Sequence, residues 1–345
     1  MSNTQKIVIT GAAGFIGSQL GWQLHRLGYD VHLIDNLSFG YRENLLVNGK
    51  PFGTFHKKNV CDPDLAPVFE GADTVFHLAA ISALPVCQSR PAFAIETNVA
   101  GTANVLETAR LAGVRRVVFA STSAVYESNK HFPCREDDAT APRLVYAMSK
   151  QQAELLCHGY RDVYGMEIVI TRYYNVYGPQ QDIHRKSPPF VGYVIRELLS
   201  GRVPVLHSDG NQRRDYVHVQ DVNALNIACM LNPRAAGNTF NVASGRAYSV
   251  NEMYDSIRRV IGTDIRPAFR PAAQYWDAYP ELFAGPNPIG ANVLDDEVNK
   301  FTLGGTFHAE SLLGWRADTS LEDGLASTIR HMSELLKPPA ISMAV

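Results

Sequence analysis

The stretch Lys6-Ile7-Val8-Ile9-Thr10-Gly11-Ala12-Ala13-Gly14-Phe15-Ile16-Gly17 decides the fold. Its first five residues are mostly β-branched and almost continuously apolar, which suits a parallel strand covered on both faces. Glycines follow at 11, 14 and 17, and a helical pattern begins at Phe15. Glycines so placed let the chain turn tightly, let a pyrophosphate approach the backbone and let helix pack on strand. The opening helix then offers unpaired N–H groups and the positive end of its dipole to phosphate. Glycines also make ordinary turns, so it is the strand–turn–helix context that carries the reading. A second strand, Val31-His32-Leu33-Ile34-Asp35, ends on a carboxylate roughly twenty residues further on, where it would accept from a ribose 2′-hydroxyl. Asp35 would repel a 2′-phosphate, so NAD is favoured over NADP.

Strands of the same texture are expected at 74–78, 117–120 and 168–171, with helices at 15–27 and 98–111, the latter stopped by Gly113. Strand–helix alternation of this kind predicts an α/β protein with a Rossmann-type doubly wound parallel sheet. After about residue 176 prolines and glycines thicken, at Gly178-Pro179, Pro188-Pro189 and 271–288, and the rhythm weakens. The organisation expected is a cofactor domain at 1–176, joined again by 217–245, and a smaller C-terminal substrate-binding region at 177–216 and 246–340. Segment 271–290, with Tyr275-Trp276-Asp277-Ala278-Tyr279-Pro280, is too irregular for a helix and reads as a loop over the site.

A chain of 345 residues can bury a sizeable core in about two domains. A formal net charge of −2 leaves no basic excess to hold nucleic acid or an anionic membrane. The five cysteines are scattered, odd in number and without a C-x-x-C pair, so neither a disulfide framework nor a metal site is expected. Free thiols suit a reducing compartment. Met1 to Lys6 lack the apolar stretch of a secretory signal, and no apolar run is long enough to span a bilayer; the expectation is a cytoplasmic protein.

The G-x-x-G-x-x-G spacing resembles the extended short-chain dehydrogenase/reductase family, closest to its NAD-dependent nucleotide-sugar epimerases and dehydratases. Asn59-Val60-Cys61-Asp62 is similar to the family segment whose Asp meets adenine. His77-Leu78-Ala79-Ala80 is similar to the strand end beneath the cofactor, and Asn98 opens an N-V-x-G-T-x-N-V helix. The resemblance implies NAD contacts from Gly11, Gly14, Phe15, Ile16, Gly17, Asp35, Asn36, Val60, Asp62, Leu78, Ala79, Ala80 and Asn98. Taken singly, Asp62 could cap a helix and His77 could be a packed core histidine; their order and spacing carry the match.

Tyr146-Ala147-Met148-Ser149-Lys150 is a Y-x-x-x-K pattern, with Pro142 upstream and Gly165 as a stop. On a helix, an i, i+4 spacing sets Tyr146 and Lys150 on one face. A phenol is a poor base at its ordinary pKa of about 10, and a neighbouring ammonium favours the phenolate. The bland alternative is a solvated helix face. The resemblance adds contacts of Tyr146 and Lys150 with the cofactor. It also implies a hydroxyl on the reacting oxygen from Ala120-Ser121-Thr122-Ser123-Ala124-Val125-Tyr126, with Thr122 first and Ser123 as fallback. Arg172-Tyr173-Tyr174-Asn175-Val176-Tyr177-Gly178-Pro179 resembles a segment that puts Tyr173 by the nicotinamide and Asn175 by the sugar or diphosphate. Arg213-Arg214-Asp215-Tyr216 resembles one in which Arg214 clamps a phosphate, although two adjacent arginines can simply be solvated.

Relatives that eliminate water or carbon dioxide carry an acid just after the Ser/Thr; here Ser123 and Ala124 stand there, and alanine has no proton to give. The resemblance therefore implies epimerisation of a nucleotide sugar, a UDP-sugar at C4, through a 4-keto intermediate. A dehydratase, decarboxylase or dehydrogenase of the same family, and a non-catalytic NAD-binding protein, stay as alternatives. Glu127 replaces a usual glycine. In register it comes three residues late for the acid, so a surface turn is favoured over an acid restored beside the sugar. The acidic segment Asn292 to Lys300 lacks the second phosphate-binding arginine of many relatives. A homodimer is implied, through the helices beginning near Asn98 and Tyr146.

Overall fold

The computed structural model describes residues 4–336, so the last residues of the expected 246–340 region, 337–340, lie outside the described residues. The central sheet is wholly parallel. Its strands are β1 (Lys6–Thr10), β2 (Asp30–Asp35), β3 (Thr54–Lys57), β4 (Ala72–His77), β5 (Arg116–Thr122), β6 (Glu167–Tyr173) and β7 (Thr239–Val242). They lie in the order β7-β6-β5-β4-β1-β2-β3. Strand order reverses between β1 and β4, and a crevice opens beyond the carboxyl ends of these two strands, where ligands of doubly wound sheets bind.

Alternate residues of each strand serve opposite faces. Ile7, Ile9, Val118 and Val169 pack under α1 (Phe15–Arg26) and, beyond them in the chain, Val222, Leu225 and Cys229 of a second helix. Val8, Val117, Phe119 and Ile168 pack on the opposite face with α2 (Gly101–Leu111) and α3 (Val145–Tyr164). The second helix of the first face is α4 (Val219–Leu231). Burial on both faces explains the unbroken hydrophobicity of these strands.

The helix expected to open at Asn98 starts earlier. The chain is helical from Pro91, passes through a π-helical turn at Glu96–Ala100 and continues into α2. Asn98 does not cap it, because its side chain turns inward to other partners. A separate apolar core joins the helices Phe190–Leu199, Val250–Ile261 and Leu321–Leu335. Segment 271–290 forms two short 3₁₀ turns, Ala272–Trp276 and Pro280–Phe283, ahead of the helix Ala291–Asn299. Its Trp276, Tyr279 and Leu282 bury themselves with Leu144, at the start of α3. Among the described residues no helix is long and apolar enough to cross a membrane.

Candidate active site

One cavity of about 790 Å³ runs from the β1–α1 turn, past the ends of β4 and β5, to the C-terminal segments. That volume is within the range that encloses a cofactor or small ligand.

At the cofactor end the glycines are sterically required. Gly11 has φ +71°, and a Cβ there would meet the Ala79 backbone N at 2.7 Å; one on Gly17 would meet the Gly11 carbonyl at 2.4 Å. No side chain caps α1 and no acidic residue occupies its first turn, so its N–H groups stay available to phosphate. Asp35 ends β2 and is 8% exposed; its Oδ1 accepts from Leu37 N at 2.8 Å and its Oδ2 from Ala13 N at 3.0 Å. Each oxygen keeps a lone pair for a ribose hydroxyl. Burial pushes this carboxyl above its usual range, and the two N–H donors oppose that. A backbone cradle, an uncapped helix start and a carboxylate at the strand end together fit NAD.

Asn36, Val60 and the run Leu78 to Ala80 also line the cavity, whereas Asp62, His77 and Asn98 stand behind its lining. Asp62 closes its own turn, where Oδ2 accepts from Asn59 N at 2.7 Å. Asn98 clamps the strand-end loop to α3: Oδ1 accepts from Ile81 N at 2.8 Å, and Nδ2 donates to Ile81 O at 3.0 Å and Ser149 Oγ at 2.9 Å. Both shape the wall from behind. His77 is held between Thr10 Oγ1 (2.7 Å) and Thr102 Oγ1 (3.0 Å), and burial lowers its pKa to about 3, so it stays neutral.

Thr122, Ser123, Tyr146 and Lys150 converge on the middle of the cavity. The Thr122 hydroxyl lies near enough to the Tyr146 phenol to favour its phenolate, and its Oγ1 accepts from Ala124 N at 3.1 Å. Lys150 is 2% exposed, with Nζ 4.2 Å from the Phe119 ring centroid, so the helix face is a buried one. The expected acidification of Tyr146 by this ammonium is not met. Burial dominates both groups, lifting Tyr146 to about 12 and lowering Lys150 to about 8, because each charged form loses its water. Arg185 and the Thr122 hydroxyl pull Tyr146 down, while Cys87 and Glu127 push it up.

Glu127 is not a surface turn. It lines the cavity, with Oε2 accepting from Arg143 N (2.7 Å) and Leu144 N (3.0 Å) just before α3, and with Oε1 buried and unpartnered. The turn after β5 folds back under the start of α3, which local sequence could not reveal. Arg185 was missed for the same reason: it belongs to a proline-flanked loop, yet its guanidinium reaches the field of Tyr146, with Nε donating to Ser187 O at 2.8 Å.

Tyr173 lines the wall and donates from its hydroxyl to Asn226 Oδ1 at 2.9 Å; Asn175 Nδ2 donates to Asp215 O at 3.0 Å. Arg213 pairs at the surface with Glu252 at 2.9 Å, whereas Arg214 faces the cavity. Arg214 donates to the carbonyls of Arg213 (3.1 Å), Glu297 (3.0 Å) and Val298 (2.9 Å), which leaves further N–H groups of the guanidinium for an anion. Lys300 also reaches the wall, gripped by both Glu297 oxygens at 2.6 and 2.7 Å. Among the described residues no His/Cys/Asp/Glu cluster could hold a metal.

The family model for NAD-dependent epimerases and dehydratases matches residues 7–243. A UDP-glucose 4-epimerase of Mycolicibacterium smegmatis is 33% identical over 94% of this chain and 97% of its own length. The crystal structure of a UDP-glucose 4-epimerase with UDP-glucose from Thermotoga maritima superposes with a TM-score of 0.85 at 30% identity, covering 96% of this chain and all of that one. A Bacillus cereus UDP-glucuronic acid 4-epimerase, in complex with UDP-glucuronic acid and NAD, gives a TM-score of 0.80 at 25% identity over 96% of this chain and 100% of its own. The chain belongs to the NAD-dependent epimerase/dehydratase family.

Proposed function

We propose that this protein is a UDP-sugar 4-epimerase. The observation that carries the reading is the convergence of Thr122, Tyr146 and Lys150 on a cavity continuous with the glycine cradle, with alanine at position 124 where elimination needs an acid. Bound NAD supplies the hydride acceptor and donor that let C4 pass through a ketone. Gly11, Gly14, Phe15, Ile16 and Gly17 hold its pyrophosphate, Asp35 and Asn36 its ribose, and Val60, Leu78, Ala79, Ala80 and Tyr173 its remaining faces. Tyr146 takes the proton of the sugar 4-hydroxyl and later returns it to the same oxygen. Thr122, with Ser123 beside it, hydrogen-bonds that oxygen and orients it. Lys150 grips the nicotinamide ribose. Arg214 binds the diphosphate and Asn175 the sugar.

The protein works as a homodimer in the cytoplasm in this reading. Leu111 of α2 and Leu155, Val163 and Tyr164 of α3 support the dimer: they are apolar, more than half exposed and carried by neighbouring helices. Five free cysteines support a reducing setting.

A second reading, elimination of water or carbon dioxide, draws on Glu127, an acid in the cavity wall after all. Mass-resolved product analysis with NAD and UDP-sugars separates the two. Epimerisation gives a product of unchanged mass and shifted mobility, and Tyr146→Phe lowers kcat by about 10²–10⁴-fold with NAD binding retained. A product lighter by water or carbon dioxide would replace this reading with the second.

A further inference from the structure

We infer that Glu127 sets sugar specificity, accepting a hydrogen bond from a hydroxyl of a neutral hexose and rejecting a hexuronic acid; this rests on the 4-epimerase reading. The carboxylate is divided in its work. Oε2 is tied to Arg143 N at 2.7 Å and Leu144 N at 3.0 Å, immediately ahead of the helix that carries Tyr146 and Lys150. Oε1 is buried without a partner, although the residue lines the substrate-sized cavity. A buried acceptor left unpaired is unfavourable, and a small turn of the side chain toward the cavity lets an arriving donor relieve it.

The cation nearest in effect does not fill that role. Lys300 lies in the field of Glu127, but both oxygens of Glu297 hold its ammonium at 2.6 and 2.7 Å. Glu297 in turn adds its own negative field to that of Glu127. Oε2 of Glu127 is bonded to the backbone two and three residues ahead of Tyr146, which sets the Glu127 carboxylate at the sugar end of the cavity rather than the adenine end. A sugar hydroxyl can donate to its unpartnered Oε1. A uronate carboxylate only accepts, and it brings a like charge.

Glu127→Gln inverts the free position. The two backbone N–H groups demand an acceptor, so the amide oxygen takes the place of Oε2 and the NH₂ takes that of Oε1. Epimerisation of UDP-glucose and of UDP-glucuronic acid is measured for the intact protein, Glu127→Gln and Glu127→Gly, with NAD titration and thermal melting as checks on folding. Glycine is tolerated at this helical backbone position, φ −46° and ψ −39°. The intact protein should favour UDP-glucose in kcat/KM. Glu127→Gln should shift the ratio of the two kcat/KM values toward UDP-glucuronic acid by about 10-fold or more, the size expected when a buried polar partner is mismatched. Glu127→Gly should narrow the ratio by a smaller factor. An unchanged ratio in both variants, an equal fall on both substrates, or an intact enzyme that prefers UDP-glucuronic acid would each overturn the inference while leaving the 4-epimerase reading standing. An intact protein that binds NAD but isomerises no UDP-sugar would bring both down.

Discussion

Lys150 sits where an ammonium is unwelcome, beneath the sheet ends and against the Phe119 ring. Burial brings its pKa from 10.5 to about 8. Below about 8 the lysine is charged in folded and unfolded chains alike, and the full penalty of burying the charge is present. Between about 8 and 10.5 the unfolded chain holds more protons, so stability rises with pH as the penalty is relieved. Lys150→Met is therefore expected to stabilise the cofactor-free protein at about pH 7 by on the order of 1–3 kcal/mol while abolishing turnover. The gain should shrink toward about pH 10, and urea unfolding at the two pH values checks it. Tyr146 obeys the opposite sign: its raised pKa favours the folded chain until pH climbs through about 12. Both residues were legible in sequence by type and spacing. The direction of their shifts was not, because spacing reports proximity and says nothing of how much water burial removes.

α3 is fixed to the sheet by a buried ion pair rather than by apolar contact alone. Arg172 on β6 donates to Glu154 on α3 from Nε at 3.0 Å and from a terminal nitrogen at 2.7 Å, and the side chains are 6% and 4% exposed. Ser121 adds a third donor to the same carboxylate. Arg172→Leu strands a buried carboxylate and should cost about 3–5 kcal/mol, whereas Arg172→Leu with Glu154→Leu should recover most of it. Equilibrium unfolding of the two single variants and the double variant measures the coupling. At this scale the strands covered on both faces announced themselves in sequence to within about two residues. β3 and β7 did not: Thr54 and Lys57 of β3 are exposed at one sheet edge with only its middle half-buried, and β7 is a run of four residues at the other edge. The inward turn of Glu127 was hidden too, since its partners Arg143 and Leu144 lie 16 and 17 residues away across a loop without periodicity.

The molecule as a whole has a working cleft on one side and a greasy flank on another. Met148, Leu155 and Val163 recur along one face of α3 at exposures of 41%, 65% and 74%, with Leu111 of α2 at 70%. Leu155→Glu should convert a dimer into a monomer by light scattering and leave the melting behaviour of the isolated chain almost unchanged, because exposed substitutions shift stability by only about 0.5 kcal/mol. A monomer in the unaltered protein at working concentration would refute the assembly. The cofactor half was legible because its chemistry is concentrated in one turn and one strand end. At the other end of the cavity Thr122, Asn175 and Arg214 were singled out in sequence, but the residues near 127, 185, 276 and 300 were not, because only the folded chain brings them to one wall.

Trp276 closes that wall. It is wholly buried against Leu144, borders the cavity and has an indole N–H without a hydrogen-bond partner. The chain thus carries its own lamp in the wall of the cavity. A dry indole with an idle N–H emits toward the blue, and any ligand that offers it an acceptor, or any loosening of segment 271–290 that lets water in, draws the emission to the red. Of the three tryptophans in the sequence, this is the one that lines the cavity, so a ligand arriving there can be watched optically and apart from turnover.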